Sequence, residues 1–533
     1  MRSARPAVRA AFVAALALSH PAVLRAQAAV SVSGRVSDAA SGTPLAAAVV
    51  RIVELHREAR THEDGRFTFG VVTPGRYQLT VHRIGYQSVS RELVVRAGLE
   101  ALVLTMRASP LQLNATVVTG QIAERGAADA VSPVNVLSDA RLERRLDATL
   151  GSTVAGTPGV SMVTMGPATA RPVIRGLGGD RVLILEDGVR TGDLSSTSAD
   201  HAVAVDPVTA RKVEVVRGPM SLLYGSSALG GVVNVIRQEI PTVALDHAHG
   251  AMTAQVASVN SGATIGGYRE FPLGGLALRA EGSARSAGDL QTPVGRLQNT
   301  QVGTLGAALG VSKVGPAGYA GLSYRYFGNE YGIPGGFVGA HPNGVDVVMR
   351  RHMLRSEADW HPSGGYFESV KGSVAFSAYN HDEVEKSGSI ATSFQQLQTA
   401  VELVGRHTHA GPATGGVVGL RGQYRDIRPG GAIRATETAD WSLAAFVVEE
   451  FGSGPLTWQA GLRYDVAQFT PLRDRNIVVQ DDTIAVRPRW FGSLSGAVGG
   501  LYTLKGGLRL GASLSRSFRT PDFNELYSDG PHL

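Results

Sequence analysis

The 533-residue sequence predicts a mainly β protein in three parts: an N-terminal β-sandwich, a mixed α/β domain, and part of a transmembrane antiparallel β-barrel. Three observations carry that reading. Short β runs alternate with turns over residues 29–107, helical and strand patterns mix over 126–240, and side chains alternate with period two over 241–533. The chain is too long for a single ordinary core, and 66 glycines with only 18% charged residues fit a turn-rich β protein better than a helical or disordered one.

The ends of the chain and its charge set the compartment. Arg2, Arg5 and Arg9 precede the apolar run Ala10 to Leu18, and small residues around Ala26 and Ala28 offer a cleavage site, so residues 1–28 read as a secretory signal peptide. Ser19, His20 and Pro21 interrupt the run well short of the ~20 apolar residues that a membrane span needs. The net charge of +6 is modest and partly owed to those arginines, so it does not argue for nucleic acid. With no cysteine, disulfides and thiolate metal sites are excluded.

Within 29–107 the runs VSGRV, AAAVVRIV, RFTFGVV, RYQLTVHRIGY, ELVVRA and ALVLTM, punctuated by Glu63-Asp64-Gly65 and Pro74-Gly75, predict a small sandwich. Residues 108–125 lack a core pattern and contain LNATVVTG, which is either an exposed strand able to pair with a partner's sheet edge or a plain linker strand. In 126–240 a helix is expected to start at Ser138 or Asp139 and to carry Leu142, Leu146, Leu150 and Val154 on one face until Pro158-Gly159 stops it. Strands VLILEDG, VEVV and VVNVI follow. Arg217-Gly218-Pro219 turns a strand into a short helix that Gly225 ends at Tyr224.

Beyond 241 the alternation is explicit. In LTWQAGLRYDV, Leu456, Trp458, Ala460, Leu462, Tyr464 and Val466 share one face, and Arg463 and Asp465 lie on the other. YAGLSYRYF and LRLGASL repeat the pattern. One apolar face, one polar face and alternately short and long connections suit a barrel in lipid, where an open sheet edge cannot be satisfied.

Three long stretches then carry a resemblance: IRGLGGDRVLILEDGVR at 174–190, HAVAVDPVTARKVEVVRGPMSLLYGSSALGGVVNVI at 201–236, and SRSFRTPDFNELYSDGPHL at the end. They resemble the TonB-dependent outer-membrane receptors over roughly 113–533, and 29–107 resembles the carboxypeptidase regulatory-like domain, with no catalytic zinc motif. The resemblance implies that 126–240 is a plug inside the barrel and that 108–125 holds the TonB box, with Ala115, Thr116, Val117 and Val118 as the segment grasped by the TonB-ExbB-ExbD complex. It also implies structural roles for Arg175, Gly176, Arg217 and Gly218, the two arginines forming ion pairs with barrel carboxylates that usually lie on later strands, beyond those expected in this sequence. About 290 residues make on the order of 12 strands, whereas the family barrel has about 22, and a 12-strand barrel of radius ~12 Å is too narrow for a plug of that size. A C-terminally incomplete receptor, about ten strands short, is therefore expected.

ADHAVAVDP, YGIPGG, YNHDEVE and ELYSDGPH are most similar to receptors for zinc, related metals or haem, which implies metal ligands at Asp200 and His201, completed by His381, Glu383 and His532. Carboxylate and imidazole suit zinc or another divalent ion when thiolates are absent. The loop after YGIPG offers only His341 and His352, and Asp529 stands where a histidine is usual in that branch. Read alone, any one of these histidines fits a solvated loop residue better than a ligand, and His247, His249, His407 and His409 read as lumen or turn residues. The competing cargo is a siderophore, haem or other metal chelate held by Tyr331, Phe337, His341, Arg425 and Arg428. No HExxH, GxSxG or Walker pattern supports an enzyme. The expectation is thus a monomeric, energised importer of a metal ion or chelate in the outer membrane of a Gram-negative-type bacterium, in contact with outer-membrane lipid, with a periplasmic N-terminal domain, no permanent cofactor and no nucleic-acid partner. A barrel-anchored surface-binding protein without energised transport is the other class.

Overall fold

The computed structural model describes residues 30–106 and 134–528, apart from 40, 53, 56, 84–85, 87–88, 97–100, 219–220, 226, 337–342, 408–412, 454, 474–475, 480–481 and 505–507. The signal-peptide and TonB-box expectations, including Ala115, Thr116, Val117 and Val118, lie outside the described residues, as do Phe337, His341 and His532. The chain divides into two compact units between residues 114 and 115.

The first unit pairs a three-stranded sheet, Arg66–Val72, Val30–Asp38 and Leu102–Met106, with a four-stranded sheet, Arg57–Arg60, Val49–Ile52, Gly75–His82 and Val89–Val95. Alternate residues of both sheets, such as Val32, Val36, Ile52, Phe67, Leu79 and Leu104, share one buried core, as period-two burial requires. The short strand Arg57–Arg60 has no apolar run and was not expected from the sequence.

In the second unit, the central domain is built on a five-stranded sheet in the order Val189–Arg190, Val182–Glu186, Gly231–Ile236, Lys212–Arg217, Val134–Ser138. The single helix expected after Ser138 is two helices, Asp139–Glu143 and Leu150–Val154. Thr149 is the reason: its backbone is extended and its hydroxyl accepts the Ser152 N–H, so it opens a second helix where the leucine repeat alone suggested continuity. The helix Ser221–Tyr224 ends at Gly225, whose φ of +82° is the left-handed value that glycine adopts without strain.

Around this domain runs one antiparallel sheet of 13 strands, from His249–Ala257 to Arg509–Arg516, against the 12 estimated from length. Each strand pairs with the next along the chain. Leu322 and Tyr324 face outward and exposed while Ser323 and Arg325 face inward and buried; Leu462 and Tyr464 flank inward Arg463 in the same way. Exposed apolar side chains on one face and buried charges on the other are the lipid and lumen faces of a membrane barrel.

Buried ion pairs dock the central domain on this wall. Arg237 Nε donates to Glu186 Oε1 at 2.8 Å, both from the central domain, and Glu186 also accepts from Arg351 of the wall. Arg237 Nη1 lies 3.4 Å from wall residue Glu281, which in turn accepts from Arg279 at 3.0 Å and Arg325 at 2.5 Å; Arg325 also binds Glu239 of the central domain. Such groups are tolerable out of water only because each faces an opposite charge. Gly310 of the wall lets the Glu239 carbonyl oxygen approach so closely that a Cβ there would overlap it.

Candidate metal site

The site is assembled from one loop of the central domain and one strand of the wall. The loop between Val189–Arg190 and the 3-10 turn Pro207–Thr209 carries His201. It has no ladder of its own, and side chains hold it instead. Asp193 accepts the Ser195 and Ala204 N–H groups at 3.0 and 2.9 Å, Arg351 donates to the Ala204 carbonyl at 2.8 Å, and the Tyr331 hydroxyl donates to Asp200 O and accepts from the Ala202 N–H, both at 2.9 Å. The strand Ser369–Glu385 carries Tyr379, His381 and Glu383, which share its inward face because alternate residues of a strand point the same way.

His201, His381 and Glu383 meet there, each fully buried. One ligand atom of each lies within 4.8 Å of the others. Glu383 Oε1 stands 3.2 Å from His201 Nε2 and 3.6 Å from His381 Nε2. A tetrahedral ion with ligands at ~2.05 Å has ligand-to-ligand edges of ~3.3 Å, so both separations match such edges. The imidazole rings are 4.3 Å apart, and Phe394 sets its edge or face against each at 5.7 and 5.8 Å.

Hydrogen bonds at the far nitrogens orient both rings. His201 Nδ1 is 3.0 Å from the Leu194 carbonyl oxygen, which only accepts, so Nδ1 bears the hydrogen and Nε2 is the nitrogen offered to the cluster. The Tyr379 hydroxyl binds His381 Nδ1 at 3.0 Å, and His381 Nε2 has no hydrogen-bond partner among the described residues. Burial works against a charged His201 ring, but the hydrogen bond to Glu383 and the charges of Asp200 and Glu383 outweigh it and hold its pKa above the ordinary value. Two neutral imidazoles and a carboxylate, desolvated and oriented, form a ligand set for a borderline divalent ion with one coordination position left over.

The other expected residues are placed differently. Asp200 is buried beside His201, but its carboxylate accepts from the Ser198 hydroxyl and stays outside the three-residue cluster. Tyr331 is a buried staple of the His201 loop. Arg425 is held by Asp440 at 3.0 Å and Asp522 at 3.2 Å, and Arg428 is exposed and bound to Asp426 at 2.9 Å. Arg217 donates to the Pro158 carbonyl at 2.7 Å and Asn135 at 3.3 Å, and exposed Arg175 makes no ion pair among the described residues. Among the described residues, the plug arginines Arg237 and Arg211 pair with the wall carboxylates Glu281 and Glu270. Gly176 and Gly218, with φ of +79° and +103°, serve the turns. His249 Nε2 lies 2.9 Å from Glu270, and His407 Nε2 lies 3.2 Å from Glu449. The sequence reading missed Tyr379 and the Leu194 carbonyl; the spacing of two in Tyr379, His381 and Glu383 was the available signal for the first.

Comparison with known proteins agrees with this architecture. Residues 127–232 match the TonB-dependent Receptor Plug Domain, 290–532 match the TonB dependent receptor-like β-barrel, and 31–107 match the Carboxypeptidase regulatory-like domain. The chain is 25% identical over 442 residues to a Hemin receptor of Yersinia pestis, covering 78% of this chain and 62% of that protein. It is 23% identical over 431 residues to the Vitamin B12 transporter BtuB of Photobacterium profundum, covering 78% and 64%. It therefore spans less than two thirds of the length of these curated relatives. Among solved structures, the Copper transporter OprC shares the fold with a TM-score of 0.62 at 17% identity, over 74% of this chain and 63% of that one. With a plug docked on an antiparallel wall whose lipid and lumen faces alternate, and with the plug and barrel families matching in order along the sequence, the chain belongs to the TonB-dependent receptor family of outer-membrane β-barrels, a family of receptors and transporters and not of enzymes.

Proposed function

We propose that the protein imports a divalent transition-metal ion, zinc in the first instance, across the outer membrane, and that His201, His381 and Glu383 are its selective binding site. The observation that carries this reading is the convergence of two imidazole nitrogens and a carboxylate oxygen, fully buried and within 4.8 Å of one another, with both imidazole-to-carboxylate separations close to the edge of a tetrahedral ion. Complete burial favours an ion stripped of water and chelator over an intact siderophore or haem at this position, and the metal is cargo, with no bond made or broken in it. Energy is supplied by TonB-ExbB-ExbD pulling on the segment that includes Ala115, Thr116, Val117 and Val118, and the receptor acts as a monomer, its N-terminal sandwich in the periplasm.

The test is metal-dependent thermal stabilisation of the full chain in detergent, with zinc, copper and nickel in turn. Stabilisation by one of them that disappears in His201→Ala supports the reading. No shift with any of the three, together with a shift on adding a siderophore or haem, moves the cargo to a chelate. Deletion of residues 113–119 should abolish uptake and leave metal binding intact; unchanged uptake would make the barrel an anchor for surface binding.

A further inference from the structure

The inward face of the wall sets a sulfur beside the three-residue cluster. Met349, on the strand Val345–Trp360, is the direct cross-strand partner of His381, and Phe394 is the partner of His381 on its other side. Directly paired residues of an antiparallel ladder bring their Cβ atoms to ~4.5–5.5 Å on one face of the sheet. All three side chains are buried there, and Met349 is fully buried in the same apolar cluster as Tyr379 and Phe394. An unbranched thioether with three rotatable bonds can turn its sulfur towards the neighbouring imidazole from that position.

The Met349 sulfur has no other task. Met353 and Met162 spend theirs on donors, Arg351 Nη2 at 3.5 Å and the Ser152 hydroxyl at 3.7 Å. Met349 accepts no hydrogen bond among the described residues. Oxygen donors close to the cluster are already engaged. The Tyr379 hydroxyl binds His381 Nδ1 at 3.0 Å, the Tyr331 hydroxyl joins Asp200 O to the Ala202 N–H, and the Asp200 carboxylate accepts from Ser198. Phe394, on the far side of His381, offers only carbon. The coordination position that His201, His381 and Glu383 leave open thus has a soft donor next to it.

We propose that Met349 is a specificity-determining donor and that the site accepts copper(I) in addition to a divalent ion. The inference rests on the metal reading above and extends its cargo class. Thioether and imidazole suit copper(I), whereas imidazole and carboxylate suit zinc. The two imidazoles serve both ions: copper(I) takes His201, His381 and Met349, and zinc takes His201, His381 and Glu383. Leucine at 349 conserves volume, so a purely packing role for the methionine predicts no change in metal preference on that exchange.

The test is anaerobic titration of the detergent-solubilised full chain with copper(I) against a bicinchoninate competitor and, separately, with zinc against a fluorescent chelator. Met349→Leu should weaken copper(I) binding by at least the roughly 10–100-fold that loss of an outer partner costs a metal site, with zinc affinity retained. Glu383→Gln should do the reverse. X-ray absorption at the copper edge should show a sulfur neighbour in the wild type and none in Met349→Leu. Should that variant fail to fold, selenomethionine-labelled Met165→Leu, which removes the half-buried methionine at the edge of the same cluster, should still place selenium next to copper. Equal copper(I) affinity in the wild type and Met349→Leu, the absence of a sulfur or selenium neighbour, or a loss that follows Thr392→Val, the hydroxyl opposite Glu383, overturns the proposal. Zinc binding without copper(I) binding also overturns it and leaves the zinc site standing; a protein that binds neither ion removes the metal reading and this inference with it.

Discussion

Replacing Glu383 by glutamine separates a metal ligand from a buried ion-pair partner. The substitution keeps volume and hydrogen-bonding capacity, and in the metal-free protein a Gln N–H can donate to His201 Nε2, whose far nitrogen is already committed to the Leu194 carbonyl. In the metal-free protein the change should be small where His201 is neutral and reach about 3–5 kcal/mol where it is charged and loses its buried counter-charge. The metal-bound state responds differently. Zinc at 100 times its dissociation constant stabilises by about 2.7 kcal/mol. Unfolding roughly 420 residues of plug and wall carries an entropy near 0.9 kcal/mol/K, so the shift in melting temperature is about 3 °C. A ~100-fold weaker site at the same zinc concentration retains about 0.4 kcal/mol, or ~0.5 °C. Scanning calorimetry of the full chain in detergent, with zinc and then with excess chelator, reads both quantities. A Glu383→Gln protein that still gains about 3 °C would falsify the assignment of this carboxylate as a ligand.

Other outcomes follow from the same geometry. Tyr379→Phe frees His381 Nδ1 and should lower zinc affinity by about 10–100-fold without altering the fold, measured by competition with a fluorescent chelator. Tyr331→Phe removes the hydroxyl that joins Asp200 O to the Ala202 N–H and should cost about 1–3 kcal/mol while raising amide exchange in the His201 loop. Glu186 is buried, which alone would raise its pKa, but Arg351 and Arg237 bring it down to about 2 from 4.5. Because the folded value is the lower one, its contribution of about 3 kcal/mol is complete above pH 4.5 and is lost as pH falls from there towards 2. Plug protection against proteolysis should therefore weaken across that window, and less so in Glu186→Gln. Gly310→Ala drives a methyl into the Glu239 carbonyl and should destabilise plug docking by several kcal/mol, seen as early plug proteolysis in an otherwise folded wall.

The barrel wall was legible because its signal is local and repeated: Leu322, Tyr324, Leu462 and Tyr464 alternate with Ser323, Arg325 and Arg463, and lipid outside with a polar plug inside demands that pattern. His201, His381 and Glu383 were legible through their motifs, and the structure brings together residues about 180 positions apart. Three kinds of information were not readable from spacing. The Thr149 cap splits a helix that the leucine repeat runs straight through, because a hydroxyl choosing its own backbone leaves hydrophobic periodicity unchanged. Plug arginines that meet wall carboxylates among the described residues include Arg237 and Arg211, which no motif singled out, since pairing across two bodies is set by how they face each other and not by local sequence. The backbone acceptor at Leu194 has no side-chain signature at all.

One half of the proposed metal site hangs from the plug and the other from the wall, so on that proposal the site would work as a clasp between two bodies. Coordination tolerates displacements of only about half an ångström, whereas the imidazole of His201 and the carboxylate of Glu383 belong to segments that no covalent bond nearby ties together. An ion seated there would rivet the two; sliding the plug by little more than a bond length would take away one of its three protein donors and leave the cation loosely held.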